Sequence, residues 1–103
     1  MASAAAHAEA IRTEGFTIVE NALGADEVAV LSEAVDRALR EHAIPFGANE
    51  FLGLRTRRVF NLLARDAAFE RLPVHGALLP IVEQAIDREC LLSSLTAIEL
   101  HPG

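Results

Sequence analysis

The chain has 103 residues, 51% of them hydrophobic, with nine basic against fifteen acidic side chains and a net charge of −6. That length allows at most one ordinary domain, and the acidic balance excludes the basic face that a nucleic-acid binder needs to neutralise phosphates. No apolar run approaches the ~20 residues that cross a bilayer, so no membrane span is expected.

The opening Met1–Glu9 lacks a basic leader and a Leu-rich core, so it does not read as a secretory signal and a cytoplasmic protein is expected. The Ala-rich residues 2–13 predict a short helix, ended by Gly15, which tolerates a left-handed backbone. Phe16-Thr17-Ile18-Val19-Glu20 is short, aromatic and β-branched, and predicts a strand; Asn21–Gly24 turns the chain. From Ala25 to His42, Val28, Leu31, Val35, Ala38 and Leu39 recur at steps of three and four, which predicts an amphipathic helix. Asp26 and Glu27 suit its first turn, and Glu33 with Arg37 and Asp36 with Arg40 are acid-before-base pairs one turn apart.

Residues 43–55 lose all periodicity, yet carry Phe46, Phe51 and Leu54 among turn formers, which suits a loop folded back on the body of the domain or on a pocket rim. Thr56–Asn61 reads as a short strand. A short helix is expected within Leu62–Leu72, with Asp66 as its cap and Pro73 past its end. A further helix ends near Asp87 with Leu79, Val82 and Ile86 on one side and Pro80 in its first turn, where a missing N–H costs least. Leu91–Leu100 reads as one long strand running into Pro102-Gly103. The strand's edge groups need partners, and no sequence follows to supply them, so the chain is expected to be a truncated, single incomplete domain over 1–103 with uncovered apolar surface.

Few residues suggest chemistry. The single Cys90 cannot form an internal disulfide and reads as a small hydrophobe. Arg55, Arg57 and Arg58 form the only local positive excess, either an anion clamp or partners for the surplus acids; in a strand Arg57 and Arg58 point to opposite faces. Glu99 and His101 share a face and are metal-ligand types, but two ligands make no site, and a polar pair at the sheet rim is the expectation. No nucleophile–base arrangement, Gly-rich phosphate loop or paired acids stand out.

In order and spacing, Gly15–Leu23, the amphipathic helix, Thr56–Leu62, Leu92–Ile98 and Pro102-Gly103 together resemble the phytanoyl-CoA dioxygenase family of Fe(II)- and 2-oxoglutarate-dependent oxygenases. The resemblance implies an α+β fold: a helical flank and the first strands of a double-stranded β-helix (jelly-roll, cupin-like). It implies a parent enzyme that uses Fe(II) and 2-oxoglutarate to hydroxylate a small-molecule or acyl substrate. The family's His-x-Asp ligand pair follows the Pro-Gly turn, and its second His and carboxylate-anchoring Arg come later, so none falls within this chain. His101 precedes the turn and takes no ligand role. The chain alone is therefore expected to bind neither cofactor and to be inactive. Arg57, Arg58, Asn61 and Thr96 are the candidates for contact with co-substrate or substrate. The competing expectation is a non-catalytic, helix-rich module whose terminal strand pairs with another chain.

Overall fold

A computed structural model describes residues 2–102. Among the described residues the architecture is α+β: three α-helices, two short 3₁₀ turns and a two-stranded antiparallel sheet. The chain forms two compact units, Met1–Gly24 with Arg71–Leu92, and Ala25–Glu70 with Ser93–Gly103.

In the first unit, helix α1 spans Ala4–Glu14. Ser3 caps it by accepting from the Ala6 amide at 3.1 Å, which satisfies a donor that the first turn leaves without a helical partner. Gly15 closes it in the left-handed region (φ 87°) and donates to the Ile11 carbonyl. The seven-residue α3, Leu79–Ala85, has Pro80 in its first turn, as the sequence predicts. The two helices pack together and bury Ala8 and Ile81. Of Leu79, Val82 and Ile86, expected on one side, Leu79 is half-buried, but Val82 and Ile86 are 38% and 72% exposed, and Ile81 is the buried residue. The helix ends at Ala85, before the next turn that would carry Ile86 inward.

Phe16–Glu20 does not form the strand that its composition predicts. The segment alternates in burial, with Thr17 and Val19 half-buried and Phe16 and Ile18 exposed, but it belongs to no ladder, and Glu20 already lies in the turn. A period-two pattern dictates an extended backbone; a strand also needs a neighbour, and both strands among the described residues lie in the other unit. Thr17 is tied instead to α1, its Oγ1 hydrogen-bonded to His7 Nδ1 at 2.8 Å.

The second unit is organised by helix α2, Ala25–Glu41. Its buried face is Ala34, Ala38 and Leu39, with Leu31 and Val35 half-buried and Val28 exposed, so the apolar stripe is covered only towards its C-terminal half. That half packs beside strand β1, Thr56–Val59, and a 3₁₀ turn, Ala67–Phe69, whose buried Val59 and Phe69 complete the core with Leu62. The helix expected within 62–72 is broken into two 3₁₀ turns, Leu62–Ala64 and Ala67–Phe69. Asp66 between them is extended (φ −157°, ψ 137°), and as foreseen its carboxylate caps the second turn through the Ala68 amide at 2.9 Å. The same carboxylate pairs with Arg37, which also faces Glu33 at 3.7 Å along α2. Arg37 and the Ala68 amide hold Asp66 below the ordinary carboxylate range.

Strand β2 is Ala97–Leu100, antiparallel to β1 with Thr56 opposite Leu100 and Val59 opposite Ala97. The long strand expected from Leu91 is thus only its last four residues. Its partner sets the limit: after Val59 and Phe60, Asn61 takes a left-handed conformation (φ 56°) and leads into the first 3₁₀ turn. One bond, from the Leu62 amide to the Leu95 carbonyl, marks where the pairing stops.

Candidate functional site

The densest polar cluster lies on one face of this small sheet. Register places Arg57 directly across from Glu99, and the period of two puts His101 on the Glu99 side. Arg57 reaches Glu99 Oε1 through Nε at 2.7 Å and Nη2 at 2.5 Å, and His101 Nε2 lies 2.6 Å from the same oxygen. A carboxylate oxygen only accepts, so Nε2 is the protonated ring nitrogen. These hydrogen bonds, His101's first and then Arg57's, lower the affinity of Glu99 for a proton.

Phe46 closes the cluster. Its ring meets the His101 ring edge-to-face, with centroids 5.1 Å apart and planes at 75°. Arg57 Cζ sits 5.3 Å from the Phe46 centroid, a cation–π distance. The loop carrying Phe46 therefore folds back onto its own unit, as its apolar content suggests. Phe46 itself stays 46% exposed, and Phe51 and Leu54 are more so, at 92% and 60%.

The four residues proposed for binding are not brought to one place. Arg57 is part of the Glu99 cluster. Arg58 points to the other face and donates to the Leu52 carbonyl, pinning the preceding loop. Asn61 is exposed and makes the left-handed turn after β1, its side chain capping nothing. Thr96 is half-buried, just ahead of β2. The cluster around Arg57 was half visible in sequence: Glu99 and His101 share a face by spacing, whereas their pairing with Arg57 needed the strand register. Phe46 gave no signal beyond being a large apolar residue in a loop.

As an anchor for an anion, Arg57 has a competitor in place: Glu99 holds its Nε and Nη2, and an incoming carboxylate meets that negative charge beside it. Among the described residues no group of three His, Cys, Asp or Glu side chains is arranged to hold a metal ion. The first unit contains a separate open cleft of about 680 Å³ between α1, the Ile18–Ala22 segment with its turn at Glu20-Asn21, and the start of α3, with His7, Glu20 and Asn21 as its polar lining. None of Arg57, Arg58, Asn61 and Thr96 lines it. No helix among the described residues is long and apolar enough to cross a membrane.

No known family model matches the chain, and no solved structure matches it.

Proposed function

We propose that this chain is the N-terminal portion of a phytanoyl-CoA dioxygenase-like oxygenase, supplying helical buttress and first strands to a double-stranded β-helix completed by further sequence. The observation that carries the reading is the pairing of Thr56–Val59 with Ala97–Leu100. Two of the segments on which the resemblance rests, about forty residues apart, are neighbours in one antiparallel sheet. A two-stranded sheet is marginal alone, and β2 exposes Ile98 and Leu100, as suits a sheet that gains strands elsewhere. In the intact enzyme, iron held by a facial triad with open positions would supply the oxidising chemistry, with 2-oxoglutarate as co-substrate. The residues present do not fit that iron. Glu99 and His101 are engaged with each other, and among the described residues no third ligand joins them. This chain's part is to scaffold, with Arg57 or Arg58 as a contact for co-substrate or substrate.

Sequencing the gene beyond the Gly103 codon is the direct test: a His-x-Asp pair within about a dozen codons is expected. An extended chain carrying it should develop the weak visible charge-transfer band on anaerobic addition of Fe(II) and 2-oxoglutarate, while the 103-residue chain should not. A reading frame without the pair, or near-stoichiometric iron on the short chain, would refute the proposal. The second reading, a non-catalytic module that offers its strand to another chain, is favoured by the same exposure of Ile98 and Leu100 on β2.

A further inference from the structure

The cleft of the first unit is framed by three pieces of chain that all belong to that unit: the first turns of α1, the Ile18–Ala22 segment and the start of α3. Its volume of about 680 Å³ lies in the range of small-ligand sites, roughly 300–1,000 Å³. Small side chains leave the room. Ala4, Ala22, Gly76 and Ala77 stand along it, and a Cβ built on Gly76 meets nothing within 4 Å. Ile18, Pro80 and Ile81 give it apolar surface, and the packing of α1 on α3 fixes two of its walls.

The polar lining decides which sign of charge fits. Glu20 is its one carboxylate, and no arginine lines it. Among the described residues Glu20 has no ion pair: of the unit's arginines, Arg12 is engaged by Glu9 and Arg88 by Glu83. Asn21 turns the chain beside it in a left-handed conformation (φ 55°), and its side-chain carbonyl is a second acceptor. His7 is held by the bond between its Nδ1 and Thr17 Oγ1. An anion here would meet an uncompensated negative charge, and a pure hydrocarbon would leave Glu20 and Asn21 unused. We propose that the cleft binds a small organic cation: a primary ammonium that donates to the Glu20 carboxylate and the Asn21 side-chain carbonyl, carried on a compact apolar body that rests on Ile18, Pro80 and Ile81. The proposal uses residues of the first unit alone and is independent of the oxygenase reading, whose Arg57, Arg58, Asn61 and Thr96 line none of this space.

Phenethylamine and phenylacetate, one ring with opposite charges, test it by NMR titration of the 103-residue chain at about pH 8, where the amine is cationic and the acid anionic. The amine is expected to give saturable shifts at the Asn21, Ala22 and Ala77 amides. It should bind roughly tenfold more tightly than the acid, an exposed ion pair gained against a repulsion avoided. Glu20→Gln should weaken the amine roughly three- to fivefold and leave the acid no weaker. Ala77→Leu, at an exposed position where a longer side chain takes up the space, should weaken both probes. An unmoved Ala8 amide in each variant shows that α1 and α3 are still packed. Equal affinity for the two probes, an amine affected by neither substitution, or no saturable shift at those three amides would overturn the proposal.

Discussion

The end of α2 offers a quantitative test of the fold. The Ile44 amide donates to the Leu39 carbonyl and the Ala43 amide to the Arg40 carbonyl, the crossed pair of bonds that defines a Schellman motif. The residue at its left-handed position is Ala43, with φ 47°. Glycine is the usual occupant, because a Cβ in that conformation crowds the following carbonyl at a cost of roughly 1–2 kcal/mol. Ala43 is exposed, so its methyl gives no packing in return. Ala43→Gly should relieve the crowding and lose part of the gain to the greater freedom of unfolded glycine, about 0.4–1 kcal/mol. The net is a stabilisation of about 0.5–1 kcal/mol. Urea unfolding followed by helical circular dichroism should show a higher midpoint with unchanged slope, and Ala43→Val, branched at the same strained position, should move the midpoint the other way. A glycine variant no more stable than the parent would refute the assigned cap.

Gly15→Ala probes the converse at α1. Nothing lies within 4 Å of a Cβ built there and φ is +87°, so the expected loss of about 1 kcal/mol comes from backbone strain alone and is read as a lower thermal midpoint. Phe69, 1% exposed and the largest fully buried side chain, should cost about 3–5 kcal/mol on Phe69→Ala, measured by denaturant unfolding. Asp66 and Glu99 both have folded-state proton affinities below their ordinary values of 3.8 and 4.5. Their stabilising contribution is therefore full above that range and is lost as pH falls through the lower folded values. The urea midpoint should be flat near neutrality and decline in acid, and the decline should be shallower in Asp66→Asn and in Glu99→Gln.

Local chemistry made much of this fold legible beforehand. The glycine stop of α1, the acidic start and extent of α2, the Asp66 cap and the first-turn Pro80 are each decided by a few adjacent residues, and each is found where the sequence puts it. What was misread depends on neighbours distant in the chain. Phe16–Glu20 has the composition of a strand and no partner. Leu91–Thr96 has the composition of a strand and outruns its partner, which turns away at Asn61. The same limit applies to the candidate site: alternation puts Glu99 and His101 on one face, but only register puts Arg57 opposite them.

That register bears on which arginine of the Arg57–Arg58 pair remains open to a ligand. Arg57 and Arg58 are each about equally eligible by charge, and the structure gives each a different restraint. Arg58 is bound to a neutral carbonyl of a loop, so its charge has no counterion in that contact. Arg57 shares one carboxylate oxygen with His101 and lies over Phe46. An anion arriving at Arg57 meets a guanidinium whose charge Glu99 already offsets, which returns little, whereas an anion arriving at Arg58 meets only a neutral acceptor and gains a charge-assisted bond. Glu99→Gln discriminates between the two. If Arg57 is the ligand contact, weakening its internal partner should tighten binding of a small dicarboxylate such as 2-oxoglutarate, seen by calorimetry on the extended chain. If Arg58 is the contact, the same substitution should leave binding unchanged and Arg58→Ala should remove it. Binding untouched by Glu99→Gln, Arg57→Ala and Arg58→Ala alike would take both arginines out of the site.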